Sequence, residues 1–459
     1  MKTNNFNILP SCILIIILSI PCLFSCQDFI EIDSPKTELI RKDVFESDLT
    51  AKAALATIYV DISSSSGTFS SITVLGGFSS DELSPFLNTI EYLQVYENEI
   101  VPTNNVITSL WSAGYSGIYK TNAILEGLSK SSNLTPPVKG QLEGEAKFLR
   151  AFFHFYLLNC FGDVPLIQTT DYRINNAINK TPSSKVFEAI VADLNDAIEF
   201  LPDSYLGTER VRPNKWTAVA LLSRVYLYTE DWAKAEEEAT TIINNSSMYN
   251  LVELHEVFIK NNSESIWQLL PVSPDQNTND GKTFILTGPP TFSALSTDFV
   301  NDFEDGDLRK TSWVGVFSIE NNTWYYPYKY KIRTGSDPLN EYSIVFRLAE
   351  QYLIRAEARA EQGNIEGSKT DLNVIRNRAG LLATTATTQM ELLLAIEKER
   401  QVELFTEWGH RWLDLKRTHR ADIVLSGSKA NWEITDELYP IPESEILVNG
   451  NLEPQNPGY

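Results

Sequence analysis

The chain has 459 residues, 43% hydrophobic and 11% aromatic, enough apolar content for one large core or two to three smaller ones, which excludes a disordered chain. Acidic residues outnumber basic ones 60 to 38, giving a formal net charge of -22. Phosphate backbones require clustered Lys and Arg, so nucleic-acid partners are excluded.

At the N-terminus, Lys2 precedes an apolar run from Ile8 to Phe24 that Pro10, Ser11, Ser19 and Pro21 interrupt. The run falls short of the roughly 20 apolar residues of a spanning helix and reads as a secretion signal over residues 1–25. Leu23-Phe24-Ser25-Cys26 resembles a bacterial lipobox, which predicts acylation of Cys26 and a membrane tether through lipid. The alternative is a plain signal peptide with a chance cysteine. Of the other cysteines, Cys12 and Cys22 lie in the leader and Cys160 in an apolar stretch, so no disulfide framework is indicated.

Helices follow in pairs. Asp48 can cap a helix to about Ser63, with Ala54, Ile58 and Ile62 on one face. In residues 107–129, Trp111, Tyr115, Ile118, Asn122 and Leu125 form one stripe, and the natural partner is residues 142–161. That second segment is apolar on nearly every face after Arg150, so it belongs at the centre of the molecule. It ends abruptly at Gly162, with Val164-Pro165 forcing extended backbone. Ser183 or Ser184 opens the next helix, burying Phe187, Ile190, Leu194, Ala197 and Ile198. Residues 214–228 and 232–244 then place Leu222, Ser223, Tyr226 and Ala235 as a tetratricopeptide repeat does, and residues 347–362 and 365–379 form a further pair.

Two stretches break this rhythm, residues 67–103 and 251–343. The second holds Trp313, Phe317, Trp324, Tyr325, Tyr326, Tyr328 and Tyr330 among prolines and small polar residues. Long irregular segments in a compact domain are usually functional. Each ring could simply pack the loop onto the helices. Collectively they could form an aromatic platform, since a sugar shows axial C–H groups on one face and hydroxyls at its edge. Candidate binding residues are therefore Trp313, Trp324, Tyr325, Tyr326 and Tyr328 with Asn321 and Arg333 at the rim, joined from the first stretch by Asp81, Phe86 and Tyr92.

No metal or cofactor is indicated. His154, His255, His410 and His419 match no ligand spacing. The Asp275–Gly281 run resembles an EF-hand, but its glycine stands one place late and Leu286 replaces the closing glutamate. Glu399, Glu403, Glu407 and Arg411 stand at i,i+4 intervals in one predicted helix. A glycosidase could use two such carboxylates, yet carboxylates beside arginines on one helix read more simply as an ion-pair network, so no enzyme is predicted.

The segment Phe161-Gly162-Asp163-Val164-Pro165 after its aromatic helix resembles the hallmark of the SusD/RagB family of nutrient-binding lipoproteins. Residues 347–358, 372–380 and 396–417 match its C-terminal helices, and Tyr439-Pro440-Ile441-Pro442 and Asn456-Pro457-Gly458-Tyr459 its tail. The resemblance implies a mainly α, tetratricopeptide-like helical-repeat scaffold with a long loop-rich ligand-binding region. It divides the chain into an N-terminal region (26–250) and a C-terminal one: cap 251–343, helices 344–420 and tail 421–459. It further implies lipid anchoring at the outer face of the outer membrane, with Asp28, Glu31 and Asp33 as an export tether. The implied function is capture of glycan for a SusC-like TonB-dependent transporter. A peptide-binding RagB-like role and a scaffold without a ligand are the alternatives.

Overall fold

The computed structural model describes residues 41–64, 69–273, 277–335 and 339–459. The predicted leader and Cys26 lie outside the described residues, as does Asp275.

The frame is a row of helices joined mostly by short loops. After α1 (Asp48–Ser63), α2 (Ile72–Ser79) and α3 (Ile90–Glu97) come α4 (Asn105–Lys130), α5 (Pro136–Phe161), α6 (Ser183–Phe200), α7 (Lys215–Tyr228) and α8 (Trp232–Ile243). Each of α4 to α8 packs on the next. The row resumes with α11 (Leu348–Glu361), which packs on α8, followed by α12 (Ile365–Arg378) and α13 (Gln389–Leu404). Leu222, Ser223, Tyr226 and Ala235 are all buried, as the repeat spacing predicts. Among the described residues no helix is long and apolar enough to cross a membrane.

The central helix is α5, with α4 on one side and α6 on the other. Phe148, Phe152, Phe155, Tyr156 and Phe161 are buried around its circumference. It starts six residues before the predicted Leu142, because Pro136 and Pro137 occupy the first turn, where backbone N–H groups need no partner. Its buried charges are matched by neighbours: Arg150 forks onto Asp193 of α6 (2.7 and 2.6 Å), and Glu145 takes Arg212 (2.6 and 2.8 Å).

Between α8 and α11 the predicted irregular segment contains short strands. A four-stranded sheet runs β1 (Leu83–Pro85), β3 (Ser293–Leu295), β5 (Asn322–Pro327), β4 (Val314–Ile319), and β2 (Ser265–Leu269) pairs with β6 (Ser343–Arg347). Apart from the local β4–β5 hairpin, these strands pair across long sequence separations, so their partners cannot be read locally. Short helices α9 (Asn279–Phe284) and α10 (Leu308–Trp313) complete the insert.

The single helix predicted through residues 396–417 is broken. Helix α13 stops at Leu404 and α14 (His410–Arg417) restarts after a sharp corner in which Thr406 (φ 48°), Trp408 (φ 47°) and Gly409 (φ 72°) are left-handed. Gly409 is needed there both for its φ and because a Cβ would stand 3.2 Å from Ile72.

The three glutamates still meet arginines, but from several elements at once. Glu403 accepts from Arg309 (2.9 Å), Arg347 (2.6 Å) and Arg378; Glu399 accepts from Arg309 (2.6 Å); Glu407 accepts from Arg347 (2.8 Å) and Lys329 (2.5 Å). Burial opposes charge on Glu403, yet Arg378, Arg347 and Arg309 outweigh it and hold the carboxyl well below its ordinary range. This sealed network joins the insert to α12 and α13.

Candidate functional site

Where the insert meets the N-terminal helices it leaves a cleft of about 500 Å³. One wall comes from the end of α1, the start of α2 and α3; the other comes from residues 277–284, Phe292 and Arg333. The two irregular stretches singled out in the sequence therefore face each other across it. Asn279 Nδ2 donates to the Ser63 carbonyl (2.8 Å), and Asn277 ties the second wall together through Gly335 and Asn340.

Trp408 lies in the cleft lining, only 5% exposed. Its ring meets Phe152 and Tyr156 of the central helix edge-on or tilted (5.5 and 5.9 Å), and its Nε1 donates to Ile344 O (2.9 Å). The left-handed corner thus sets an indole between the central helix and the cleft. Tyr92 and Phe292 add a T-shaped pair 5.3 Å apart. Hydroxyls of Ser63, Ser71, Thr73, Ser109 and Thr283 line the same space. Asp280 accepts from Ser343 Oγ (3.0 Å), and burial raises its carboxyl to about 6. Apolar rings mixed with hydroxyls and amides suit a ligand with one apolar face and many hydroxyls.

A second aromatic surface stands on the β4–β5 hairpin. Its register pairs Phe317 with Trp324 and Gly315 with Tyr326, which puts Phe317, Trp324 and Tyr326 on one face. The Phe317 and Trp324 rings lie 6.3 Å apart at 31°, and Tyr326 meets Tyr328 edge-on at 5.6 Å. Gly315 makes room for the Tyr326 ring, which fills the space a Cβ would take. All four rings are partly exposed, and Asn321 is exposed in the turn.

The predicted residues thus divide. Tyr92 and Arg333 line the cleft, while Trp324, Tyr326, Tyr328 and Asn321 belong to the hairpin. Tyr325 takes the opposite face and packs toward the core. Phe86 is 41% exposed and its N–H bonds to Phe292 O (2.8 Å), beside the cleft. Asp81 is occupied by Arg411 (2.8 and 2.7 Å). Trp313 is a correction: it is 0% exposed, its Nε1 donates to Leu254 O (2.9 Å), and Lys329 and Arg347 stand over its ring. No ligand can stack on it. Sequence reasoning missed Trp408, Phe292 and Asp280. Gly409, in the middle of a supposed helix, was the available sign of the corner that presents Trp408.

Comparison with known proteins supplies the context. A family profile described as "Starch-binding associating with outer membrane" matches residues 28–227, and one described as "SusD family" matches residues 297–459. The chain is 28% identical over 425 residues to a SusD-like protein of Formosa agariphila, covering 78% of this chain and 81% of the relative. It superposes on a SusD superfamily protein from Bacteroides vulgatus with a TM-score of 0.80 at 21% identity, over 90% of this chain and 99% of the other. A laminarin-binding SusD-like protein gives a TM-score of 0.76 at 26% identity, over 90% and 99%.

Proposed function

This chain belongs to the SusD/RagB family, and from that premise we propose that it captures oligosaccharides at the cell surface and passes them to a SusC-like TonB-dependent transporter. The observation that carries the reading is the cleft itself: the partly exposed rings of Tyr92 and Phe292 stand in its lining beside the nearly buried Trp408, and serine, threonine and asparagine side chains surround them. A pyranose needs that combination, because its C–H face must leave water while its hydroxyls keep hydrogen bonds. The partly exposed rings of the hairpin extend the contact to further sugar units of a chain. Binding proceeds by stacking and hydrogen bonding without covalent chemistry. The likeness to a laminarin-binding protein supports the ligand class, and the outer-membrane description of the matching profile supports the location. Lipid attachment at Cys26 would provide the anchor.

The test is affinity electrophoresis of the full chain, held in detergent, through native gels containing plant, algal or microbial polysaccharides. Retardation by at least one of them is expected. Unretarded migration in every gel, together with binding of peptides, would replace the glycan reading by the RagB-like one.

A further inference from the structure

The cleft has three charged side chains in its lining, Asp280, Lys282 and Arg333. Asp280 is half-buried and engaged by Ser343. Lys282 and Arg333 are both exposed, and among the described residues neither side chain has an acidic partner. For an arginine that is unusual in this molecule, where 60 acidic residues compete for 38 basic ones. Every other arginine whose side chain is described makes a hydrogen bond or ion pair, from Arg150 on Asp193 and Arg173 on Asp171 to Arg411 on Asp81 and Arg420 on Glu397. Arg333 is the exception among the described arginines, and it stands in the lining of the cleft.

Resting on the glycan reading of this same cleft, we infer that its preferred ligands are anionic oligosaccharides, carrying a uronic-acid carboxylate or a sulfate ester that Arg333 and Lys282 receive. A planar guanidinium presents a fork of N–H donors that fits either oxyanion with two parallel hydrogen bonds, and an ammonium adds a point charge. Neutral sugars would leave both cations without a role. Asp280 is the one opposing carboxylate in the lining, and its bond to Ser343 turns it toward β6.

The test is calorimetric titration of the full chain in detergent with acidic probes (tetragalacturonate, tetramannuronate and a chondroitin sulfate tetrasaccharide) and neutral ones (cellotetraose, laminaritetraose and xylotetraose). The tightest binding is expected among the acidic probes. Combining Arg333→Gln with Lys282→Gln should weaken it about tenfold, the worth of a charge-assisted hydrogen bond. Arg333→Lys should retain part of the affinity. Loss of binding on carboxyl reduction identifies a carboxylate, and loss on desulfation identifies a sulfate. Tightest binding to a neutral probe, unchanged in the double variant, overturns this inference and leaves the glycan reading standing. Binding to no probe of either kind overturns both.

Discussion

Two tryptophans of the same insert stand in opposite surroundings. Trp313 fills the core beneath two cations, so Trp313→Ala should cost about 3–5 kcal/mol of stability, read as a lower urea midpoint, with ligand affinity of the folded fraction unchanged. Trp324 lies on the open hairpin face; Trp324→Ala should leave the midpoint nearly unchanged and weaken binding of a long glycan by about 2 kcal/mol, roughly thirtyfold. From sequence these two indoles were indistinguishable, because a residue's depth depends on what later elements lay over it. Glu82 offers a pH test. Burial, and then the neighbouring Asp81, raise its carboxyl to about 8, so the folded state holds a proton that the unfolded state has released above about pH 4.5. Its contribution to stability therefore falls as pH rises from about 4.5 to 8, by up to about 1.4 kcal/mol per pH unit. Glu82→Gln removes that dependence. The melting temperature of the variant minus that of the wild type should rise steadily between pH 5 and pH 8, and a constant difference would refute the assignment.

At the level of elements, the long helices were legible because their apolar stripes repeat over many turns, and α4, α7 and α8 lie where that spacing put them, while α5 extends further at its start. The insert was legible mainly as an interruption. Its strand pairing was not, because β1 pairs with β3 across about two hundred residues, as with Leu83 and Leu295. Residues of both suspected stretches line one cleft, yet nothing local could say that they face each other or that Trp408, from a third place, lies in its lining. The corner before α14 decides that position. Gly409→Ala forces a side chain into left-handed backbone against Ile72 and should cost about 1–3 kcal/mol. Because the strain falls next to Trp408, glycan affinity should drop together with the thermal midpoint. An Ala variant with normal affinity would mean that the indole is held by its Ile344 bond alone.

The whole molecule is tied together by the buried ion network. Arg347 of β6 reaches Glu264, Glu403 and Glu407, and Arg309 at the start of α10 reaches Glu399 and Glu403, so the insert cannot detach without stranding charges. Arg347→Met should cost about 3–5 kcal/mol, because three carboxylates lose a partner in a place water does not reach. In the wild type, helix loss by circular dichroism and indole exposure by fluorescence should follow the same urea curve; two separate curves would show that insert and helices unfold independently. A further tie is slower to form. The far end of the central helix is completed from the opposite end of the chain: Tyr439 N–H bonds to Cys160 O, and Asn456 Nδ2 bonds to both Phe161 O and Tyr439 O, each at 2.8 Å. The innermost helix therefore stays incomplete until residues almost three hundred positions further along have folded against it, and a chain truncated before Asn456 leaves the Phe161 carbonyl without that amide.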